Sequence, residues 1–257
     1  MLNLYDLSIC RGGRKVIEDL SIELFSGQMV AILGENGAGK STLIRAIAGD
    51  LAFSGHIQLQ GRSLHKWSAA QLASVRAVME QQFSPPPLMA VQELVALGRY
   101  IYRESDARTQ QLVRKWLVHT QLQEFAHREV MSLSGGEQQR VQLARCLAQL
   151  DNAQPEPSVL LLDEPTSALD LYHQHQCLQQ VRHFAQQGNL VIAVMHDVNL
   201  ASLYADHILL LKQGRLIAQG SAQQVLQSST LESVYQINMH ISPHPTLEVP
   251  MVFSALG

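Results

Sequence analysis

Gly34-Glu35-Asn36-Gly37-Ala38-Gly39-Lys40-Ser41 follows a short apolar run, Met29–Leu33, and opens a segment, Ser41–Ala48, that reads as a helix. Strand, glycine-rich loop and helix in that order fit the phosphate-binding pattern G-x-x-x-x-G-K-[ST]. Glycines let backbone N–H groups turn inward around a β-phosphate, and the helix start adds positive partial charge. Lys40 supplies a point charge for the β- and γ-phosphates, and Ser41 offers a hydroxyl to Mg²⁺. With Thr42, these residues form the expected nucleotide-binding segment.

A phosphate loop needs a sheet behind it. Upstream, Met1–Cys10 and Val16–Leu24 read as strands joined by the Arg11-Gly-Gly-Arg14 turn, and Gly55–Gln60 and Val75–Met79 as further strands. From Pro85-Pro-Pro87 the periodicity becomes helical, over Val91–Arg99, Ala107–His119 and Gly136–Leu150. A breaker-rich loop, 151–157, then leads to strands at 158–162, 190–195, 206–211 and 215–219, alternating with helices at 171–187 and 197–204. Alternation of this kind implies an α/β fold with a mainly parallel sheet and helices on both faces. The expected division is a core of 1–84 and 155–257 with a helical insertion at 85–154. The last twenty or so residues, from Gln236, carry no clear pattern.

Val159-Leu-Leu-Leu-Asp163-Glu164 is a buried strand that ends in two acids. In parallel sheets ligands bind at the carboxyl ends of the strands, so these acids belong at the phosphate end. Asp163 is expected to hold Mg²⁺ through water beside Ser41. Glu164 is expected to orient or deprotonate the attacking water, a role worth roughly 10²–10⁴-fold in rate. Taken alone, the acids could equally cap the next helix.

Leu133-Ser134-Gly135-Gly136-Glu137 supports two readings. Ser134-x-x-Glu137 is a capping box for the helix through Leu150. Yet a cap does not need Gly135 and Gly136, which cost helix stability, and bare amides at a helix start make a second anion site for Ser134, Gly135 and Gly136.

Gly34–Ser41, then Leu133–Glu137 with Gln138-Gln139-Arg140, then Asp163-Glu164-Pro165-Thr166 occur in the order found in ABC-type ATPases, which the chain resembles over essentially its whole length. The resemblance implies a P-loop ATPase fold with an N-terminal antiparallel β part. It also implies a head-to-tail homodimer, in which the signature of one copy closes over the ATP held by the other. It further implies that Gln81 reaches Mg²⁺ and the water and senses a membrane partner. Ser167-Ala-Leu-Asp170 would be the loop that crosses to the other copy, and His196 would contact the γ-phosphate. Arg11 stands where the family usually has an adenine-stacking aromatic; a guanidinium can stack by its planar face or simply lie in solvent.

Composition bounds the rest. Net charge is −3, with 46% hydrophobic residues and no long basic run, which argues against non-specific nucleic-acid binding. The apolar runs are shorter than the ~20 residues a bilayer crossing takes, and no secretory leader opens the chain. Cys10, Cys146 and Cys177 are scattered, as in a reducing compartment, and His173 and His175 lie on different helix faces. With one nucleotide domain and no spans, the chain resembles the ATP-binding subunits of bacterial importers. Val95-Ala-Leu-Gly-Arg99 is similar to the iron-chelate, haem and cobalamin group, and the 151–157 loop with Leu171-Tyr-His-Gln-His175 to its haemin-importing members. This implies two transmembrane permease subunits, a periplasmic binding protein met indirectly, and a place on the cytoplasmic face of the inner membrane. The alternative is an ABC-type ATPase acting on nucleic acid, but no coiled coil, zinc module or second nucleotide domain is present.

Overall fold

In the first strand, β1 (Leu2–Arg11), Leu2 and Leu4 are buried, and the buried set then resumes at Leu7. That odd spacing marks a bulge, at which the register slips between Leu4 and Leu7 and Asp6 takes a φ of 48°. β1 pairs antiparallel with β2 (Arg14–Leu24) and β4 (Ser54–Leu59), and β4 with β5 (Arg62–Ser63), giving a four-stranded antiparallel sheet. The computed structural model describes residues 1–84, 86–152 and 156–254. The break expected at Pro85 and the middle of the 151–157 loop lie outside the described residues.

Packing divides the chain into two compact units, Met1–Lys66 with Val181–Gly257, and Trp67–Gln180. In the first unit β3 (Gln28–Gly34) lies between β8 (Leu190–Val194) and β9 (His207–Lys212) and runs parallel to both. Met29–Leu33 and Leu190–Val194 are all buried. Flanked on both sides, they read as continuous apolar runs rather than alternating ones. β10 (Arg215–Gly220) adds an antiparallel edge to β9. The helix α1 (Lys40–Ile47) leaves the loop after β3.

In the second unit β6 (Arg76–Met79) pairs parallel with β7 (Val159–Asp163). Val75 was expected to open the strand but is the last residue of a helix, α2 (Ala69–Val75). The reason is a capping box, in which Ser68 and Gln71 satisfy each other's backbone N–H and start a helix that hydropathy alone does not reveal. Next come α3 (Val91–Leu97), α4 (Asp106–His119) and α5 (Gly135–Leu150), whose Leu94, Val95, Val113, Leu117, Val141 and Ala144 share one apolar core. Each buried leucine there contributes about 1.5–3 kcal/mol.

The unit is wider than the helical stretch because α5 hydrogen-bonds both α2 and β6. Gln149 Nε2 donates to the Ala73 and Arg76 carbonyls at 2.7 and 2.9 Å, and Arg145 Nη2 to Val78 O at 3.2 Å. At the far end of α5, Arg99 Nη1 donates to the Ala148 and Asp151 carbonyls at 2.6 and 2.8 Å. The Arg99 guanidinium also grips Glu104 at 2.7 Å and holds that carboxyl below its ordinary range. The helix α6 (Leu171–Gln186) follows β7. Among the described residues no helix is long and apolar enough to cross a membrane.

The carboxyl-terminal stretch, unpatterned in sequence, is ordered by side chains from elsewhere in the first unit. After α7 (Val198–Tyr204) and the sheet come α8 (Ala222–Val225), α9 (Ser228–Tyr235) and a hairpin of β11 (Met239–Pro243) and β12 (Pro250–Ser254). Asn199 replaces a neighbouring strand: its Nδ2 donates to Val252 O at 3.0 Å and its Oδ1 accepts from Val252 N at 2.8 Å. Ser202 Oγ donates to Pro250 O at 2.6 Å. Asn199→Ala leaves both Val252 groups unpaired and is expected to cost about 1–3 kcal/mol. Denaturant titration should show that loss, with amide exchange quickening in β12 while β3 stays protected.

Candidate functional site

The loop after β3 turns straight into α1 at Gly39, which has a φ of 98°. A Cβ there would stand 2.7 Å from Ile17 Cδ1 and 2.8 Å from Val16 O, so both backbone angle and space demand glycine. No side chain caps α1, and no acid lies in its first turn, so its N–H groups keep their positive end. Lys40 is buried, and its Nζ donates to the Gly34 and Glu35 carbonyls at 2.8 and 2.9 Å. Behind it the loop is tied down by Ala38 N on Glu35 O (3.2 Å) and Gly214 N on Ala38 O (3.1 Å). Asn36 and Gly37 are exposed, Ser41 is half-buried and Thr42 is buried. An uncapped helix start beside a lysine fits a polyphosphate.

Parallel pairing of β3 with β8 brings two expected residues to one end of the first unit. Gly34 closes β3, and Met195, whose N–H donates to Ile32 O at 3.1 Å, leads from β8 to an exposed His196. Asp197 then caps α7, its Oδ1 accepting from Asn199 N and Leu200 N at 2.8 and 3.0 Å. In this unit Arg11 ends β1 with its side chain exposed.

In the second unit the pairing of β6 with β7 does the same for Gln81 and the two acids. Gln81 is exposed just past β6, Asp163 is buried as the last residue of β7, and Glu164 is half-buried. Glu164 has a φ of 55°. For a residue other than glycine that conformation costs on the order of 1–3 kcal/mol and persists only where the surroundings enforce it. They do so through its carbonyl, which accepts from Ser167 N at 3.3 Å, Ser167 Oγ at 3.2 Å and Gln139 Nε2 at 2.7 Å. Asp170, exposed at the end of this turn, accepts from His173 N and lies 2.8 Å from His173 Nδ1; these bonds hold its carboxyl low.

At Ser134 the capping reading is realised. Ser134 Oγ accepts from Glu137 N at 3.3 Å, while Glu137 Oε2 accepts from both Ser134 N and Ser134 Oγ at 2.7 Å. The Ser134 hydroxyl, and then its N–H, keep the Glu137 carboxyl below its ordinary range. The bonds to the Glu137 carboxylate are therefore at full strength at neutral pH and weaken only as pH falls through that lowered value, while the Glu137 N–H bond to Ser134 Oγ does not titrate. The two glycines differ in a way spacing did not reveal. A Cβ on Gly136 would lie 2.8 Å from Ala168 O and 3.3 Å from Leu169 Cδ2, whereas one on Gly135 would meet only Ala168 Cβ at 3.7 Å. Gly136 is thus required by the approach of the turn that follows Glu164.

The three polar residues after the signature each tie α5 down. Gln138 Nε2 donates to Leu133 O at 3.0 Å, and Arg140 Nη1 to the Thr120 and Gln121 carbonyls at 3.1 and 3.3 Å. Gln139 reaches the turn of Glu164. No sequence spacing marks Gln139, since its partners lie 25–29 residues away.

A model of the ABC transporter family matches residues 17–167. The chain is 47% identical over 254 residues to the haemin import ATP-binding protein HmuV of Idiomarina loihiensis, covering 99% of this chain and 98% of that one. To the protein of that name from Pseudomonas entomophila it is 42% identical over 255 residues, 99% and 100% of the two chains. Among solved structures it is similar to an ATP-binding subunit of an ABC transporter, with a TM-score of 0.79 and 25% identity over 92% of this chain and 98% of the other. It is also similar to an ATP-binding cassette in a dimeric post-hydrolysis state with ADP and Pi bound. There the TM-score is 0.77, with 26% identity over 86% of this chain and 98% of that one.

The unequal space at the two signature glycines can be tested by stability. Gly135→Ala should be neutral or slightly stabilising, because alanine restricts the unfolded chain. Gly136→Ala must push the 168–169 backbone aside and should cost about 1–3 kcal/mol. Thermal unfolding of the two variants side by side checks the difference.

Proposed function

This chain belongs to the ABC transporter family and is an ATP-hydrolysing subunit of that kind; on that premise we propose that it powers the import of haemin through a separate transmembrane permease. The observation that carries the cargo is identity of 42–47% over nearly the full chain to two haemin import ATP-binding proteins. On this reading the protein lies at the cytoplasmic face of the inner membrane. Two copies pair head to tail beneath two permease subunits, and a periplasmic binding protein delivers the cargo from the other side.

The loop Gly34–Thr42 would bind the phosphates of ATP through its backbone N–H groups, with Lys40 transferring from the loop carbonyls to the β- and γ-oxygens. The Ser41 hydroxyl, the Asp163 carboxylate and the Gln81 amide are oxygen donors suited to Mg²⁺, which when bound neutralises charge on the phosphates. Glu164 would accept the proton of the attacking water or hold it in line, and His196 would donate to the γ-phosphate. Ser134, Gly135 and Gly136 of the second copy would complete the phosphate's shell, with Asp170 on the loop that crosses between copies. Arg11 offers the base a planar guanidinium face.

Transport is tested by reconstituting the subunit with its permease in lipid vesicles and following haemin uptake. Uptake should require ATP and should fall, together with phosphate release, by roughly 10²–10⁴-fold in Glu164→Gln. Full turnover by Glu164→Gln would remove it from the chemistry, and ATP hydrolysis unresponsive to haemin loading would point to another cargo.

Pairing is tested by mixing two inactive proteins. Lys40→Ala disables the phosphate loop and Ser134→Arg obstructs the signature, so each homodimer carries its lesion in both sites. In a head-to-tail mixed dimer one site collects both lesions and the other is intact. Mixing should therefore restore ATP-dependent dimerisation and trapped nucleotide. No rescue despite demonstrated subunit exchange would show that each copy completes its own site.

A further inference from the structure

Gln139 lies in the second turn of α5, half-buried, and spends both ends of its amide on one turn of chain. Its Nε2 donates to Glu164 O at 2.7 Å and approaches Ser167 Oγ at 3.4 Å, while its Oε1 accepts from Ala168 N at 3.2 Å. The two arms fall on the first and last residues of the segment Glu164–Ala168. The shorter bond falls on the residue held at a φ of 55°.

That placement has a mechanical consequence. The φ of Glu164 sets the direction of its Cα–Cβ bond, and therefore where its carboxylate can lie. Left to itself the residue would relax to a negative φ, as side-chain-bearing residues prefer. The Ser167 bonds to the same carbonyl come from within the turn and would move with it. Gln139 refers the carbonyl to a different element, the helix that begins with the signature. The far end of the turn already packs closely on that helix at Gly136 and Ala168, so docking alone does not call for a donor aimed at Glu164.

We propose that Gln139 is a positioning residue for hydrolysis, which holds Glu164 in its left-handed conformation and makes the aim of the carboxylate depend on the seating of the signature helix in the same chain. This rests on the reading of Glu164 as the group that acts on water. Strain at a catalytic residue is kept only where a second element over-determines it, and here that element is the one that would sense the γ-phosphate of the partner copy.

The test is a double-mutant cycle. Gln139→Leu removes both arms at similar volume, and Gln139→Glu keeps the acceptor for Ala168 N but loses the donor to Glu164 O. Both should lower kcat at least tenfold, with the ATP KM within about twofold of wild type. If Gln139→Leu does not fold, Gln139→Glu carries the comparison. In the Glu164→Gln background, single-turnover phosphate release should be no slower with Gln139 changed than without. The ATP-trapped dimer should form equally well in both, because the aim of a carboxylate that is no longer there has no further effect. A tenfold loss that persists in that background, or a weakened trapped dimer, would overturn the positioning role and leave the reading of Glu164 intact. Wild-type turnover by Glu164→Gln alone would overturn that reading and this inference with it.

Discussion

A strand buried on every side cannot carry polar chemistry along its length, because each unpaired polar group taken out of water costs on the order of 1–3 kcal/mol. β3, β7 and β8 are such strands, with Met29–Leu33, Val159–Leu162 and Leu190–Val194 all buried. Whatever they deliver must come at the point where they stop. Gly34, Asp163 with Glu164, and His196 all stand at or just beyond carboxyl ends. Within each unit parallel pairing turns that local rule into a shared edge: β3 with β8 in one, β6 with β7 in the other.

The segments that leave those ends are shaped by what they must pass. At Gly39 the chain enters a helix in a conformation and a space that only glycine fits, and no side chain caps the helix start. At Glu164 the chain enters a turn with a residue ill suited to its φ and holds it there by three donors to one carbonyl. One end is permissive and the other is constrained. A phosphate loop works by presenting backbone, which glycine allows. A carboxylate that must meet a water molecule works by direction, which a restrained backbone supplies.

Within the second unit α5 supplies that restraint. Its first turn carries the capped signature, its second turn holds the segment after Glu164, and its later turns bond the carbonyls of Ala73 in α2 and of Arg76 and Val78 in β6, the strand that leads to Gln81. Arg99 fixes its last carbonyls. The Val95–Arg99 segment, which in sequence pointed to a group of importers, thus has a packing task as well.

The sequence by itself determined the buried strands, the phosphate loop, the acid pair and the capping box, because each is written in neighbouring residues: an apolar run, a glycine spacing, a serine three places before a glutamate. It did not determine α2, which depends on a cap rather than on hydropathy, or the carboxyl-terminal hairpin, whose register is held by Asn199 from 53 residues away. Nor did it separate Gly135 from Gly136 or single out Gln139. Those distinctions arise only when the turn after Glu164 comes to rest against α5, because what a glycine must make room for, or an amide can reach, is decided by residues distant in the chain. Local physics wrote the motifs, and tertiary packing decided which member of each motif bears the constraint.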